Sequence, residues 1–271
     1  MPTPFSLTLT AEQREEFDAA GVLVLPGYFP ARDMAALANA VWSDISRRFG
    51  IERRRPETWT VERPGKFQSL VRSGGLRAFG SDRLFAIGDL FLGAGKWIRP
   101  RPHQIGAPLV TFPMRTSWEV PHKLWHLDTS ATDCIASLPG IRVFTFLEPS
   151  LPRGGGTPYI AGSHRLALEI AARTPGAHLH SQDLRAILAQ EHPWFAALFE
   201  EGGPDRVQRF MIDGARIGGT DVRVHEMLGQ PGDAIIMHPA VFHSIAVNAL
   251  DSPRMMLMQF LFAESYMAQL A

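Results

Sequence analysis

Apolar residues recur at three- and four-residue steps in one early stretch, Met34, Leu37, Ala38, Val41, Trp42, Ile45 and Phe49. This single stripe predicts a helix that begins after Pro30, ends at Gly50 and lies against a sheet. Upstream, Thr10-Ala11-Glu12-Gln13 has the capping-box spacing, so a shorter helix starts there and runs to Gly21. Val22 to Leu25 then reads as a buried strand stopped by Pro26-Gly27. Residues 51–100 mix Arg and Gly with weak periodicity, and only 82–92 reads as a further short helix.

From residue 105 the texture changes to short apolar runs between breakers. Residues 109–112, 124–129, 133–137, 141–147 and 157–160 read as strands, as do 234–237 and 255–262, with 241–247 between these last two. Strands at this spacing predict a sandwich or barrel. Residues 165–200 read as helical and lead into a Gly-rich loop. Within the insertion around 183–211, Trp194, Phe195 and Phe199 form either a lid over the mouth of the sheets or part of the core. No internal repeat and no long linker interrupts the chain. The expectation is one domain over 1–271, with 1–100 as a helical support and 101–271 as a strand core carrying a helical insertion near 165–230.

Composition narrows the classes of function. At 271 residues and 45% apolar content the chain can bury a full core. Its 27 basic and 27 acidic residues cancel, which removes the long-range field that gathers nucleic acid or anionic lipid. The run Arg53-Arg54-Arg55 reads as a solvated loop. Cys134, the single cysteine, closes no intramolecular disulfide and builds no thiolate metal site; it reads as a small buried apolar residue. Met1 to Phe5 lacks the basic start and long apolar run of a signal peptide, and no stretch approaches the roughly 18 apolar residues of a membrane span. A soluble, cytoplasmic protein with a small-molecule partner is therefore expected. The 24 Gly and 21 Pro agree with many turns, and ten His remain to be explained.

The informative segment is Trp125-His126-Leu127-Asp128. In a strand, successive side chains alternate faces, so His126 and Asp128 point one way and Leu127 the other. One imidazole and one carboxylate on one face are two of the three ligands of a facial iron triad. The same triplet also arises as ordinary hydrogen-bonded surface residues. A second segment, Gly232-Asp233 through His238 to His243, turns into an apolar strand and ends on two histidines. Eleven residues past His243, Arg254 opens another apolar strand. A lone Arg there is costly to bury unless an anion meets it, and its fork suits a carboxylate. His-x-Asp, a distant His and that Arg leave three positions open on an octahedral metal. Two of these can be taken by the keto-acid end of 2-oxoglutarate, with its far carboxylate on the Arg, and the last by dioxygen.

On these residues the chain resembles the phytanoyl-CoA dioxygenase family of iron(II)- and 2-oxoglutarate-dependent oxygenases. Leu9-Thr10-Ala11-Glu12-Gln13 followed by Gly21-Val22-Leu23-Val24-Leu25-Pro26-Gly27-Tyr28-Phe29 is similar to the family's opening helix and strand. Gly156-Thr157-Pro158-Tyr159-Ile160-Ala161-Gly162-Ser163-His164-Arg165 is similar to its Gly-Ser-His segment. Gly232-Asp233 through His243, Asn248 and Arg254 follows its closing pattern.

The resemblance implies a mainly β fold with flanking helices (α+β) around a double-stranded β-helix, the cupin-like jelly roll. It implies His126, Asp128 and His243 as ligands of the catalytic Fe(II) and Arg254 as the clamp for the co-substrate 2-oxoglutarate, with O2 as oxidant. Thr157 matches a position that offers a hydroxyl to the co-substrate in some members, and Phe144 an aromatic beside the metal. The implied reaction is hydroxylation, or another oxidation, of an unactivated C–H in a small molecule, with release of succinate and CO2. Asp128 stands where related halogenases have a small residue, which argues against halogenation. Leu127 stands where many relatives carry Gln, so the surroundings of the triad differ from the pattern. Two other readings compete: a non-redox metal-dependent jelly-roll enzyme such as an isomerase or lyase, and a non-catalytic jelly-roll binding module.

The remaining histidines have plainer readings. His238, an odd step from His243, faces the opposite side of a strand. His164 reads as a turn or helix-start residue, with Ser163 as cap. His122 lies near enough to the triad to line a pocket, and His103, His178, His180, His192 and His225 read as surface or loop. Gly154-Gly155-Gly156 is a tight turn, since no Lys and helix follow as in a phosphate loop. Substrate identity and oligomeric state are not encoded in any of these motifs.

Overall fold

The computed structural model describes residues 5–270. Met1 to Pro4, part of the segment read for a signal peptide, lie outside the described residues. Helix α1 (Ala11–Ala20) starts on the expected capping box: the Gln13 N–H donates to Thr10 Oγ1 at 3.2 Å, and the Thr10 N–H to Gln13 Oε1 at 3.0 Å. It ends at Gly21, whose φ of 73° is the left-handed cap that glycine adopts without strain. Strand β1 (Val22–Leu25) follows, then helix α2 (Ala31–Phe49), which buries Met34, Leu37, Ala38, Val41, Trp42 and Ile45, the predicted stripe. Between 51 and 100 lie α3 (Gln68–Arg72) and α4 (Asp82–Gly88), the latter continuing as a π turn over Asp89–Gly93.

The remaining elements are β2 (Ala107–Thr111), β3 (Gly140–Phe146), β4 (Pro158–Ala161), α5 (Ser163–Arg173), α6 (Ser181–Glu191), α7 (Pro193–Phe199), β5 (Ala215–Ile217), β6 (Thr220–Glu226), β7 (Ala234–Met237), β8 (Arg254–Phe262) and α8 (Glu264–Leu270). They form two antiparallel sheets, a five-stranded one in the order β1-β7-β3-β8-β2 and a three-stranded one in the order β4-β6-β5. Two isolated bridges, His243 to Tyr159 and His126 to His243, prolong the smaller sheet by two irregular segments.

Strand alternation divides the large sheet by face. Leu23, Leu25, Val110, Ile141, Val143, Ile236, Met255 and Leu257 pack against α2 and the 51–100 segment. The opposite face, with Val22, Phe144, Phe146, Ile235, Met237 and Met256, meets Met227 of the segment after β6 and Val241, and encloses the interior between the sheets. A third apolar cluster joins α5, α6 and α7 to the 120–131 segment and β6.

Several expected elements take another form. Residues 124–129 are not a strand: Leu124 has φ 62° and is 58% exposed, and only His126 makes a bridge. Within 133–137 the expected strand is absent, and Ala131–Cys134 forms a 3-10 turn. Residues 241–247 cannot ladder along one neighbour because their N–H groups go to different partners: Phe242 to Ser163 Oγ, His243 to the His126 carbonyl and Ser244 to the Pro158 carbonyl. The loop expected after 200 contains β5 and β6, and α8 closes the chain. Ser163 is not a cap. Helix α5 starts from Gly162 at φ 79°, where a Cβ would sit 2.3 Å from the Asp221 carbonyl oxygen, while Ser163 Oγ donates to the Ile160 carbonyl. Trp194 and Phe195 are buried in the third cluster with Phe199 packed on it, so these aromatics are core and not a lid.

His238 packs against His164, with ring centroids 5.1 Å apart and planes tilted by 43°, and its Nδ1 accepts the Ala240 N–H. Burial pushes His164 down to about 4 and His238 to about 3, so both are neutral in the folded protein. Unfolded, each takes up a proton near its ordinary 6.5, so the unfolded state binds more protons below that pH. Stability is therefore expected to fall as pH drops from about 6.5 toward 4. Urea unfolding across this range should show a shallower pH slope in His164→Gln, by at most about one proton; an unchanged slope would contradict the assignment.

Candidate metal centre

Backbone pairing brings two distant histidines together. The His126 N–H donates to the His243 carbonyl at 2.9 Å and the His243 N–H to the His126 carbonyl at 3.0 Å, which sets the two rings 4.1 Å apart. The Asp128 N–H donates to the Pro239 carbonyl at 3.1 Å, fixing the third residue of the triplet to the same segment. One ligand-type atom from each of His126, Asp128 and His243 lies within 4.8 Å of the other two. Among the described residues this is the one group of three or more His, Cys, Asp or Glu side chains so arranged.

The proton positions follow from the partners. His126 Nδ1 lies 2.8 Å from the Leu124 carbonyl, and His243 Nδ1 lies 3.1 Å from the Val241 carbonyl. A carbonyl only accepts, so each ring carries its proton on Nδ1 and leaves the Nε2 lone pair free. His243 Nε2 and Asp128 Oδ2 are buried with no hydrogen-bond partner, and His243 Nε2 is 3.5 Å from Asp128 Oδ1. Two orphaned acceptors in one buried cluster fit a cation. Burial raises the Asp128 carboxyl to about 6 against the opposing pull of Arg142 and His126. Burial also lowers His243 well below its ordinary value, which keeps its Nε2 available. His243 is 3% exposed whereas His126 reaches solvent, so the cluster opens on the His126 side.

Arg254 opens β8 on the enclosed face and is 6% exposed. Its Nε donates to the Gly155 carbonyl at 2.8 Å, its Nη2 to Thr111 Oγ1 at 3.0 Å and its Nη1 to the Leu109 carbonyl at 3.3 Å. No carboxylate pairs with it among the described residues. Burial, reinforced by the neighbouring Arg63, lowers its pKa to about 10. The expected glycine turn has a specific use: Gly155, at φ 79°, turns its carbonyl onto this guanidinium. Asn248 holds the loop before Arg254 through its Nδ2, which donates to the Thr111 and Ser252 carbonyls. Phe144 is buried on the enclosed face in register with Ile235 and Met258, and Thr157 is buried just before β4.

Sequence reasoning missed Arg142. It lies on the enclosed face of β3, and its Nη2 is 2.5 Å from Asp128 Oδ1, with the two side chains 19% and 3% exposed. The signal was present: a single charge in the apolar strand Gly140–Phe146, the pattern that singled out Arg254. Elsewhere, Arg53 pairs with Glu148 and Arg55 with Glu52 and Glu57, so these charges are satisfied by their own neighbours; His122 Nε2 lies 3.7 Å from Glu201, beyond hydrogen-bond reach, and is buried without a hydrogen-bond partner. Cys134 is buried, and burial pushes its thiol up to about 11.

No family model matches the chain, and no curated protein matches it by sequence. Its fold is similar to that of EctD from S. alaskensis, solved with 2-oxoglutarate and 5-hydroxyectoine: TM-score 0.56, 17% identity, covering 98% of this chain and 82% of that one. HygX from Streptomyces hygroscopicus, solved with nickel and 2-oxoglutarate bound, gives 0.53 at 16% identity over 95% of this chain and 88% of the other. SnoN, a non-heme alpha-ketoglutarate-dependent epimerase from nogalamycin biosynthesis, gives 0.52 at 15% identity over 93% and 81%. At these identities the likeness establishes the fold, a double-stranded β-helix core with flanking helices. No helix among the described residues is long and apolar enough to cross a membrane.

Removing Asp128 strands a largely buried cation, whereas removing the exposed His126 strands none. Heat or urea unfolding in the presence of a chelator should show Asp128→Ala costing about 3 kcal/mol and His126→Ala under about 1 kcal/mol. Equal losses would show that the Asp128–Arg142 pair carries no special weight.

Proposed function

We propose that the protein is an Fe(II)- and 2-oxoglutarate-dependent oxygenase of the phytanoyl-CoA dioxygenase type, hydroxylating an unactivated C–H of a small molecule. One observation carries this reading: a His-Asp-His cluster and a buried arginine without a carboxylate share the interior of one roll. Similar folds have been solved with 2-oxoglutarate and with iron or nickel, which supports the same assignment.

In this reading His126 and His243 hold the iron through Nε2, and Asp128 holds it through its carboxylate. Together the bound iron and 2-oxoglutarate supply the oxidising power that activates dioxygen toward a C–H bond, yielding succinate and CO2. Arg254 receives the far carboxylate of the co-substrate. Its guanidinium is already aimed by Gly155, Leu109 and Thr111, so little ordering remains for the ligand to impose. From Arg254 the enclosed face runs through Met256, Met258 and Phe260 of β8, with Phe144 and Arg142 of β3 beside the last two. This mostly apolar strip excludes water from between the clamp and the cluster and strengthens both charge interactions. Substrate enters on the exposed His126 side. Thr157 is assigned to the co-substrate compartment and Phe144 to the wall beside the metal.

A non-redox lyase or isomerase has no use for a buried clamp of this kind, and a binding module has no use for two imidazoles with their Nε2 lone pairs kept free.

Three measurements test the proposal. Under anaerobic conditions, Fe(II) and 2-oxoglutarate should give a visible charge-transfer band with the wild type and none with His126→Ala or His243→Ala. Arg254→Leu should weaken 2-oxoglutarate binding about 100-fold, as expected for two charged hydrogen bonds. In air, succinate should form only with the intact triad. Absence of both the band and succinate in the wild type would refute the reading.

A further inference from the structure

Each residue of the cluster needs something to hold its side chain in the direction of the shared point. His126 has the Leu124 carbonyl and His243 the Val241 carbonyl. Asp128 has neither a backbone nor an uncharged donor on its carboxylate among the described residues, and it stands on an irregular segment where no strand fixes its rotamer. Its one tether is the Arg142 guanidinium, 2.5 Å from Oδ1.

Arg142 is held by packing and by the ion pair itself, its Nε being buried without a hydrogen-bond partner. It lies on β3 between β7 and β8, in register with Met237 and Phe260, and its guanidinium packs over the Phe260 ring at 5.4 Å. The ion pair therefore ties the irregular 125–130 segment, on the edge of the smaller sheet, to the centre of the larger one. Burying two charges in this way adds little to stability compared with apolar packing, so its use is sought in what it orients. The contact occupies one side of the carboxylate and leaves Oδ2 buried without a partner.

Resting on the metal-centre reading above, we infer that Arg142 is the positioning residue of the cluster: it holds the Asp128 carboxylate so that it meets the metal in one orientation, as the two carbonyls do for the histidines. Ligand-supporting contacts of this kind are worth about 10- to 100-fold in metal affinity. Phe260 supports the same arrangement one step further out.

The test uses Co(II) alone, with no co-substrate or oxygen. Its affinity and d–d absorption are measured for the wild type, Arg142→Leu, Arg142→Gln, Arg142→Lys and Phe260→Leu, after confirming cooperative unfolding of each apo protein. The expected results are a loss of about 10- to 100-fold for Leu, with a changed d–d spectrum, substantial recovery with Lys and a smaller loss for Phe260→Leu. Gln replaces Leu in the comparison if the Leu variant does not fold. Wild-type affinity and spectrum in a folded Leu or Gln variant would overturn the inference while leaving the metal centre intact, and so would a Lys variant as impaired as Leu. No Co(II) uptake by the wild type would overturn the metal-centre reading itself, and this inference with it.

Discussion

The reciprocal backbone pair between His126 and His243 is the contact on which the site depends. Two hydrogen bonds of 2.9 and 3.0 Å join segments more than a hundred residues apart, and they do so where neither belongs to a regular strand. Everything on the 241–248 side is arranged to permit this. Phe242 gives its N–H to Ser163 and Ser244 gives its to Pro158, which leaves His243 free to face His126. The irregularity that removes a predicted strand thus creates the one place where two imidazoles and a carboxylate converge.

Around that contact the enclosed face of the large sheet is lined by Val22, Phe144, Phe146, Ile235, Met237 and Met256, and its strands carry two charges, Arg142 and Arg254. Arg254 sits at one end of β8 with no anion, and Arg142 neutralises Asp128 further along the same face. Charges in such surroundings are costly unless paired, so an unpaired buried arginine marks a place for an anionic ligand. The proposed co-substrate brings two carboxylates to a compartment with a cation at one end and a candidate metal at the other. The two arginines then have different tasks: one receives a ligand, and the other holds a residue that receives a metal.

The sequence made legible those features that depend on local pattern. The α2 stripe, the Thr10 capping box and Arg254 at the head of an apolar strand all have the form their residues predict, because each follows from periodicity or from one costly burial. The cluster residues were legible by order and type, although the argument that His126 and Asp128 alternate along a strand does not describe their actual setting. Long-range partners were not legible. Nothing local reveals that Ser163 Oγ takes the Phe242 N–H, that Leu124 adopts φ 62° and breaks a strand, or that Arg142 meets Asp128 across the roll. β6 is a different case: Val222 and Val224 alternate with Asp221, Arg223 and His225, a strand pattern obscured by the glycines before it.

The most direct test of the central claim is a crystal structure with Mn(II) and 2-oxoglutarate, using the anomalous signal of the metal. The account predicts one metal directly coordinated by His126 Nε2, His243 Nε2 and an Asp128 oxygen, with the far carboxylate of 2-oxoglutarate on Arg254. A metal bound elsewhere, or 2-oxoglutarate whose carboxylate does not meet Arg254, would contradict it.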